Sequence, residues 1–305
     1  MPLVFIFVDG VGLGKKNGQN PFAWNEYKAF VAMTGGQSFT AEAEDYHKGN
    51  HYFTSIDACL GVDGLPQSGT GQVTLFTGIN SAKMLGRHFG PYPHSSIRGL
   101  LGEESLFLKM GSRMGKCYFM NAFPKRFIDY VTVTNRWSST TYMTTKAGFK
   151  LNSVQEVLDE RAITAELTQD AWRTRLSLDV PLISEMDAAD RVIRASQIHD
   201  LVLVEYYLTD KAGHSRDGGL AHKILTRFDR FLQHLIDRQV ENGYTLLLTS
   251  DHGNLEDLSI KTHTRNRVPF FVLGEGAPAF HPATSIQDVT PLCVKWYRSV
   301  IGQGR

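Results

Sequence analysis

The chain is poor in cysteine: among 305 residues there are 3, Cys59, Cys117 and Cys293, far apart and odd in number. That excludes a disulfide scaffold and lacks the close spacing of cysteine-bound metal sites, so a reducing compartment is the plain reading. Charge of one sign is missing too. The 32 Lys+Arg balance 31 Asp+Glu, with no block of like charges, which removes the electrostatic footprint of a nucleic-acid or membrane-surface binder. No apolar stretch approaches the ~18 residues of a membrane span. The N-terminal run Leu3–Val8 has no basic flank and stops at Asp9, too short for a signal sequence. The expectation is a cytoplasmic protein without membrane or nucleic-acid partners.

Apolar side chain is plentiful, at 42% of residues, enough to build a core without staples. Short apolar runs at 3–8, 201–208, 244–249 and 268–273 read as buried strands, with further strands at 53–59 and 116–123. Helical patterns fall at 21–33, 72–78, 104–115, 153–172, 184–199, 221–235 and 286–301. Ser184 and Asp187 form a capping-box-like start. The Thr-rich stretch 131–145 reads as strand, edge or surface loop. Alternating strands and helices imply an α/β fold with a largely parallel sheet sandwiched by helices. The expected organisation is a single domain over 1–305, with a small cap inserted within about 84–195.

Polar residues recur where apolar strands end. Asp9 follows the first, Asp210 and His214 follow 201–208, Asp251 and His252 follow 244–249, and His263 precedes Val268. Open α/β sheets bind ligands beyond their carboxyl strand ends. Taken singly, each residue is an ordinary cap, surface pair or turn former; together they favour a metal site. Three Asp and three His suit Mn²⁺, Zn²⁺ or Fe better than Ca²⁺, and they exceed the ligand set of one catalytic zinc. Two divalent ions with three ligands each are the economical allocation, an arrangement that clamps the attacking and leaving oxygens of phosphoryl displacement. In Pro66-Gln-Ser-Gly-Thr-Gly-Gln72, Ser68 and Thr70 are both available as nucleophile at a helix start.

Five segments carry a resemblance: Val4–Leu13, Ser68-Gly-Thr-Gly-Gln72, Asp210-Lys-Ala-Gly-His214, Thr249-Ser-Asp-His-Gly-Asn254 and Thr262-His-Thr-Arg-Asn-Arg-Val-Pro-Phe270. In this order they resemble the alkaline phosphatase superfamily, most of all its cofactor-independent phosphoglycerate mutase and phosphopentomutase branch. The resemblance implies one metal site of Asp210, His214 and His263, a second of Asp9, Asp251, His252 and the nucleophile, and Ser68 rather than Thr70 as that nucleophile. There are departures. The mutase branch reads Gly-His after the nucleophile, where this chain has Gly71-Gln72, and only 141 residues separate Ser68 from Asp210. That leaves room for a small cap but not for the large second domain of full mutases. The setting of Ser68 also lacks the sulfatase pattern.

The expectation is therefore a binuclear metal-dependent phosphomonoesterase acting on a small phosphorylated substrate through phosphoserine. Its alternatives are a phosphomutase, a phosphodiesterase and a silent metal-binding protein. Arg265, Arg87 and His88 are candidate substrate contacts. Substrate identity and oligomeric state are not legible.

Overall fold

The computed structural model describes residues 1–111 and 116–302. Seven strands, β1 (Leu3–Val8), β2 (Tyr46–Lys48), β3 (His51–Ile56), β4 (Cys117–Phe119), β5 (Leu201–Tyr206), β6 (Thr245–Ser250) and β7 (Val268–Leu273), form one sheet in the order β2-β3-β7-β6-β1-β5-β4. Strands β4, β5, β1 and β6 run parallel. Strand β7 is antiparallel to β6, β3 to β7, and β2 to β3. The two reversals decide where the site forms. Because β7 runs backwards, the loop before it lies beside the carboxyl ends of β1, β5 and β6. Strand β3 runs forward again, so the loop after it reaches the same edge.

Strand β1 is central and wholly buried, and the period-2 geometry sends its side chains to opposite faces. Val4, Ile6 and Val8 enter one core with Val202, Val204, Leu246 and Leu248. Leu3, Phe5 and Phe7 enter the other with Leu201, Leu203 and Leu247. Helices Lys28–Met33, Glu185–Ser196 and Gly218–Asn242 cover the first face. Helices Ser68–Thr77, Leu106–Gly111 and Val289–Gly302 cover the second. This is the α/β sandwich expected from the strand–helix alternation.

Several local expectations need correction. The Thr-rich region is helical, Lys125–Thr134 and Ser139–Lys146. The hydroxyls of Thr132, Thr134, Thr144 and Thr145 each donate to the carbonyl four residues back, at 2.7–2.8 Å, so the β-branched residues satisfy themselves within a helix. The pattern at 153–172 resolves into two short helices, Val154–Leu158 and Asp170–Leu176. The pattern at 21–33 divides into a 3-10 turn Pro21–Ala23 and the helix Lys28–Met33. Of the helix expected at 104–115, residues 106–111 are helical and 112–115 lie outside the described residues. The Ser184–Asp187 capping box is present, its two reciprocal bonds at 2.9 and 3.1 Å. Within 84–195, Ala122, Val157, Ala162, Trp172 and Val180 form a small apolar cluster apart from the two main cores.

Candidate metal centre

Four loops bring the polar residues together at the carboxyl edge of the sheet. Asp9 ends β1 and Gly10 turns there at φ +69°. A Cβ on Gly10 would lie 2.6–2.9 Å from Asp210 atoms, so glycine is what lets the β1 and β5 loops close on each other. Asp210 and His214 lie one turn apart on the helix Leu208–Ser215. Asp251 and His252 follow β6, and His263 precedes the reversed β7. Ser68 opens the helix Ser68–Thr77. At Gly71 a side chain would press within 2.8 Å of the Asp251 carbonyl, so the missing Cβ allows the helix that Ser68 opens to seat against the β6 loop.

Two ligand groups result: Asp9, Asp251 and His252, all buried, and Asp210, His214 and His263, more open. In the first, His252 Nε2 lies 3.3 Å from Asp9 Oδ1 and 3.6 Å from Asp251 Oδ2. The Ser68 hydroxyl lies in hydrogen-bond contact with the same Nε2 at 2.9 Å. In the second, His214 Nε2 lies 3.3 Å from Asp210 Oδ2, and His263 Nε2 lies 3.6 Å from Asp210 Oδ1. The rings of His252 and His263 stack with centroids 3.8 Å apart, which joins the two groups into one cluster.

The donor set fits divalent cations. In each histidine the Nδ1 proton is committed to a backbone carbonyl: Gly253 at 3.3 Å for His252, Pro66 at 2.7 Å for His263, Lys261 at 3.0 Å for His214. This is the outer bonding pattern of metal-ligating imidazoles, and it turns the Nε2 lone pair inward. The Nε2 atoms of His214 and His263 face each other at 3.1 Å, an arrangement two neutral rings so oriented cannot satisfy. Asp9 Oδ1 and Asp251 Oδ2 are buried without a hydrogen-bond partner, a costly condition unless a cation completes it.

The proton affinities respond to the same crowding. Burial, with Asp251 beside it, pushes Asp9 up to about 8, and burial also raises Asp251. Burial opposes charge on His252, yet Asp251 and Asp9 outweigh it and lift the ring to about 10. Burial and the neighbouring His252 charge push His263 down to about 4. At Asp210 burial is overcome by the His214 hydrogen bond, the His252 charge and Asn254, which bring it to about 2. Without a cation, protons held at Asp9 and His252 balance the site.

The family model described as the metalloenzyme superfamily matches residues 120–295, more than half of the chain. The chain belongs to the metalloenzyme superfamily. The match contains Asp210, His214, Asp251, His252 and His263, while Asp9 and Ser68 precede it. Among curated proteins, the 2,3-bisphosphoglycerate-independent phosphoglycerate mutase of Desulforudis audaxviator is 29% identical over 119 residues, 36% of this chain and 23% of that protein. The mutase of Nitrosococcus oceani is 29% identical over 120 residues with the same shares. The aligned stretch thus spans about a quarter of the length of these relatives. Two solved structures share the fold. The alkaline phosphatase of the Antarctic bacterium TAB5 has TM-score 0.51 at 10% identity over 97% of each chain. The Leishmania mexicana phosphoglycerate mutase has TM-score 0.50 at 11% identity over 97% of this chain and 95% of that one. The superfamily resemblance and the α/β fold read from the sequence both stand on these matches.

Three sequence candidates lie elsewhere. Arg265 Nη1 donates to the Gly64 carbonyl at 3.0 Å, His88 bonds to the Cys59 carbonyl at 3.2 Å, and exposed Arg87 lies over the Phe89 ring. They surround the loop ahead of Ser68, outside the ligand cluster. Other residues were not anticipated in their roles. Gln72, where the mutase branch reads His, donates to Asp9 Oδ2 at 3.2 Å. Glu205, enclosed by the apolar run of β5, accepts from Thr140 at 2.9 Å and is raised to about 8 by burial.

Glu256 is the hub behind this metalloenzyme centre. Its buried carboxylate accepts from Gly12 N and Asn254 N at 2.8 Å each, from Asn266 Nδ2 at 3.0 Å, and from the Thr264 hydroxyl. The loop after β1 and the two ends of the β6–β7 connection therefore close on one side chain. An amide there would turn a donor toward donors. Glu256→Gln is expected to stay folded by circular dichroism and bind Mn²⁺ about 10–100-fold more weakly, the range for outer-shell losses; unchanged affinity would show that Glu256 does not position the ligands.

A pH dependence follows as well. Folded Asp9 holds its proton up to about 8, whereas the ordinary value is 3.8. Between those values the folded state binds more protons than the unfolded chain, so this group's contribution to stability falls as pH rises. A divalent ion displaces that proton. Urea unfolding of metal-stripped protein between about pH 4 and pH 8 should show this loss, and saturating Mn²⁺ should suppress it; identical slopes with and without metal would contradict the assignment.

Proposed function

We propose that the protein is a two-metal phosphate monoesterase that works through a phosphoserine at Ser68. The observation that carries this reading is the position of Ser68 Oγ, 2.9 Å from His252 Nε2 inside one ligand triad, with a second triad stacked against it. The ions assigned are Mn²⁺ or Zn²⁺, one per triad, since mixed carboxylate and imidazole donors suit either. When bound, they would supply the Lewis-acid charge that favours the Ser68 alkoxide and neutralises the departing oxygen.

The chain's own residues do the rest. Ser68 sits at the start of a 10-residue helix, where the helix dipole favours the phosphate anion. Its Oγ gives up its proton to solvent and forms a bond to phosphorus as the bond from phosphorus to the ester oxygen breaks on the opposite side, toward Asp210, His214 and His263. The departing oxygen takes a proton from solvent. Water then cleaves the phosphoseryl ester, releasing phosphate and restoring the hydroxyl. Gln72 and Gly10 N hold Asp9 and Asp251 in place, so the carboxylates are oriented before substrate arrives. Within 84–195 we assign the small cluster around Trp172 as the cap, since Leu106–Gly111, Cys117–Phe119 and Glu185–Ser196 belong to the main domain.

A phosphomutase is the second reading, favoured by the mutases among the relatives. It differs in the fate of the phosphoseryl group, which would return to a second hydroxyl instead of passing to water. Among the described residues no helix is long and apolar enough to cross a membrane.

Ser68→Ala should abolish Mn²⁺-dependent release of phosphate from p-nitrophenyl phosphate while metal still binds. Undiminished turnover in this variant would remove Ser68 from the chemistry. Product that retains all its phosphate in ester form would favour the mutase.

A further inference from the structure

We infer that the alcohol portion of the substrate carries a second anionic group, and that Arg216 and Lys261 bind it; the inference rests on the phosphate-ester reading above. In-line displacement fixes a direction. The nucleophile lies against His252, so the leaving oxygen departs toward Asp210, His214 and His263, and its substituent must continue outward past that triad. His214 is the open member: its side chain is 43% exposed, against 6% for His263. Directly beside it is an open groove of about 510 Å³ lined by His214, Ser215, Arg216 and Lys261.

The groove is cationic and held in place. Arg216 adopts the left-handed conformation, φ +57°, that ends the helix Leu208–Ser215. Its Nε donates to the Leu258 carbonyl at 3.1 Å, which anchors the guanidinium and leaves its terminal nitrogens to a ligand. The Lys261 carbonyl accepts from His214 Nδ1 at 3.0 Å, so its ammonium is carried by the residue that orients the ring. The ion pair recorded at this corner is that of His214 with Asp210; among the described residues Arg216 and Lys261 have no acidic partner. Planar guanidinium beside ammonium suits a carboxylate or a second phosphate.

Three esters of matched length separate the possibilities: 3-hydroxypropyl phosphate, its carboxylate counterpart 3-phosphooxypropionate, and propane-1,3-diyl bisphosphate. With Mn²⁺-loaded enzyme, one or both anionic esters should show kcat/KM about tenfold above the neutral one, the scale of one charge-assisted contact. Which of the two is favoured identifies the group as carboxylate or phosphate. Lys261→Ala, which keeps the backbone carbonyl bonded to His214, and Arg216→Gln should each bring the ratio of anionic-ester to neutral-ester kcat/KM, read within the same variant, down to about one. The same esters titrated calorimetrically into Mn²⁺-loaded Ser68→Ala protein give a readout independent of turnover. Equal binding of all three, or a preference that survives both substitutions, overturns the anion site. Lys261-dependent binding of the anionic esters without turnover of any ester keeps the anion site and removes the hydrolase reading.

Discussion

The constraint on which the rest of the structure depends is electrostatic: three carboxylates and three imidazoles packed so that lone pairs face lone pairs. His214 and His263 point Nε2 atoms at each other across 3.1 Å while both Nδ1 protons are committed elsewhere. Asp9 and Asp251 bury oxygens without donors. Such a cluster is stable only with positive charge inside it. Without cations, tightly held protons at Asp9 and His252 supply that charge; divalent cations would supply it with the geometry the donors already have.

Holding such a cluster together requires rigid surroundings. The sheet contributes this through two strand reversals, which direct the loops around Ser68 and His263 to the same edge as those after β1, β5 and β6. Glu256 then ties the loop after β1 to the β6–β7 connection through one buried carboxylate. Asp9, Asp251 and His252 follow strand ends, Asp210 and His214 stand on the helix after β5 and Ser68 opens the helix after β3, so these positions are set by the two apolar cores on either side of the sheet. Preorganisation of this kind is what two-ion phosphoryl chemistry demands.

Much of the candidate site was legible because its residues sit immediately after apolar runs, where an α/β sheet places its ligands. The six triad residues and Ser68 are all brought together. His263 was legible by motif rather than by topology: in an all-parallel sheet the residue before a strand would lie at the far edge, and only the reversal of β7 brings it in. Glu205 was hidden because one carboxylate within Leu201–Tyr206 looks like an interruption of a strand. Glu256 was hidden because its partners are backbone amides and short polar side chains of irregular loop, which leave no periodic pattern. Arg87, His88 and Arg265 surround the loop ahead of Ser68, each beside a neighbouring carbonyl or ring, and sequence proximity to a ligand does not say which way such a loop side chain turns. The Thr-rich helices escaped notice because composition favours strand, while the hydroxyl bonds that make helix acceptable are local and invisible to periodicity.

The most direct measurement is metal stoichiometry on stripped protein, by calorimetric titration with Mn²⁺ and elemental analysis of the saturated sample. Two triads joined by the His252–His263 stack predict two ions per chain. His214→Ala should leave the buried Asp9 triad able to bind, and Asp251→Asn should leave the Asp210 triad able to bind. No binding, or a single ion whose affinity is indifferent to both substitutions, would contradict a binuclear centre.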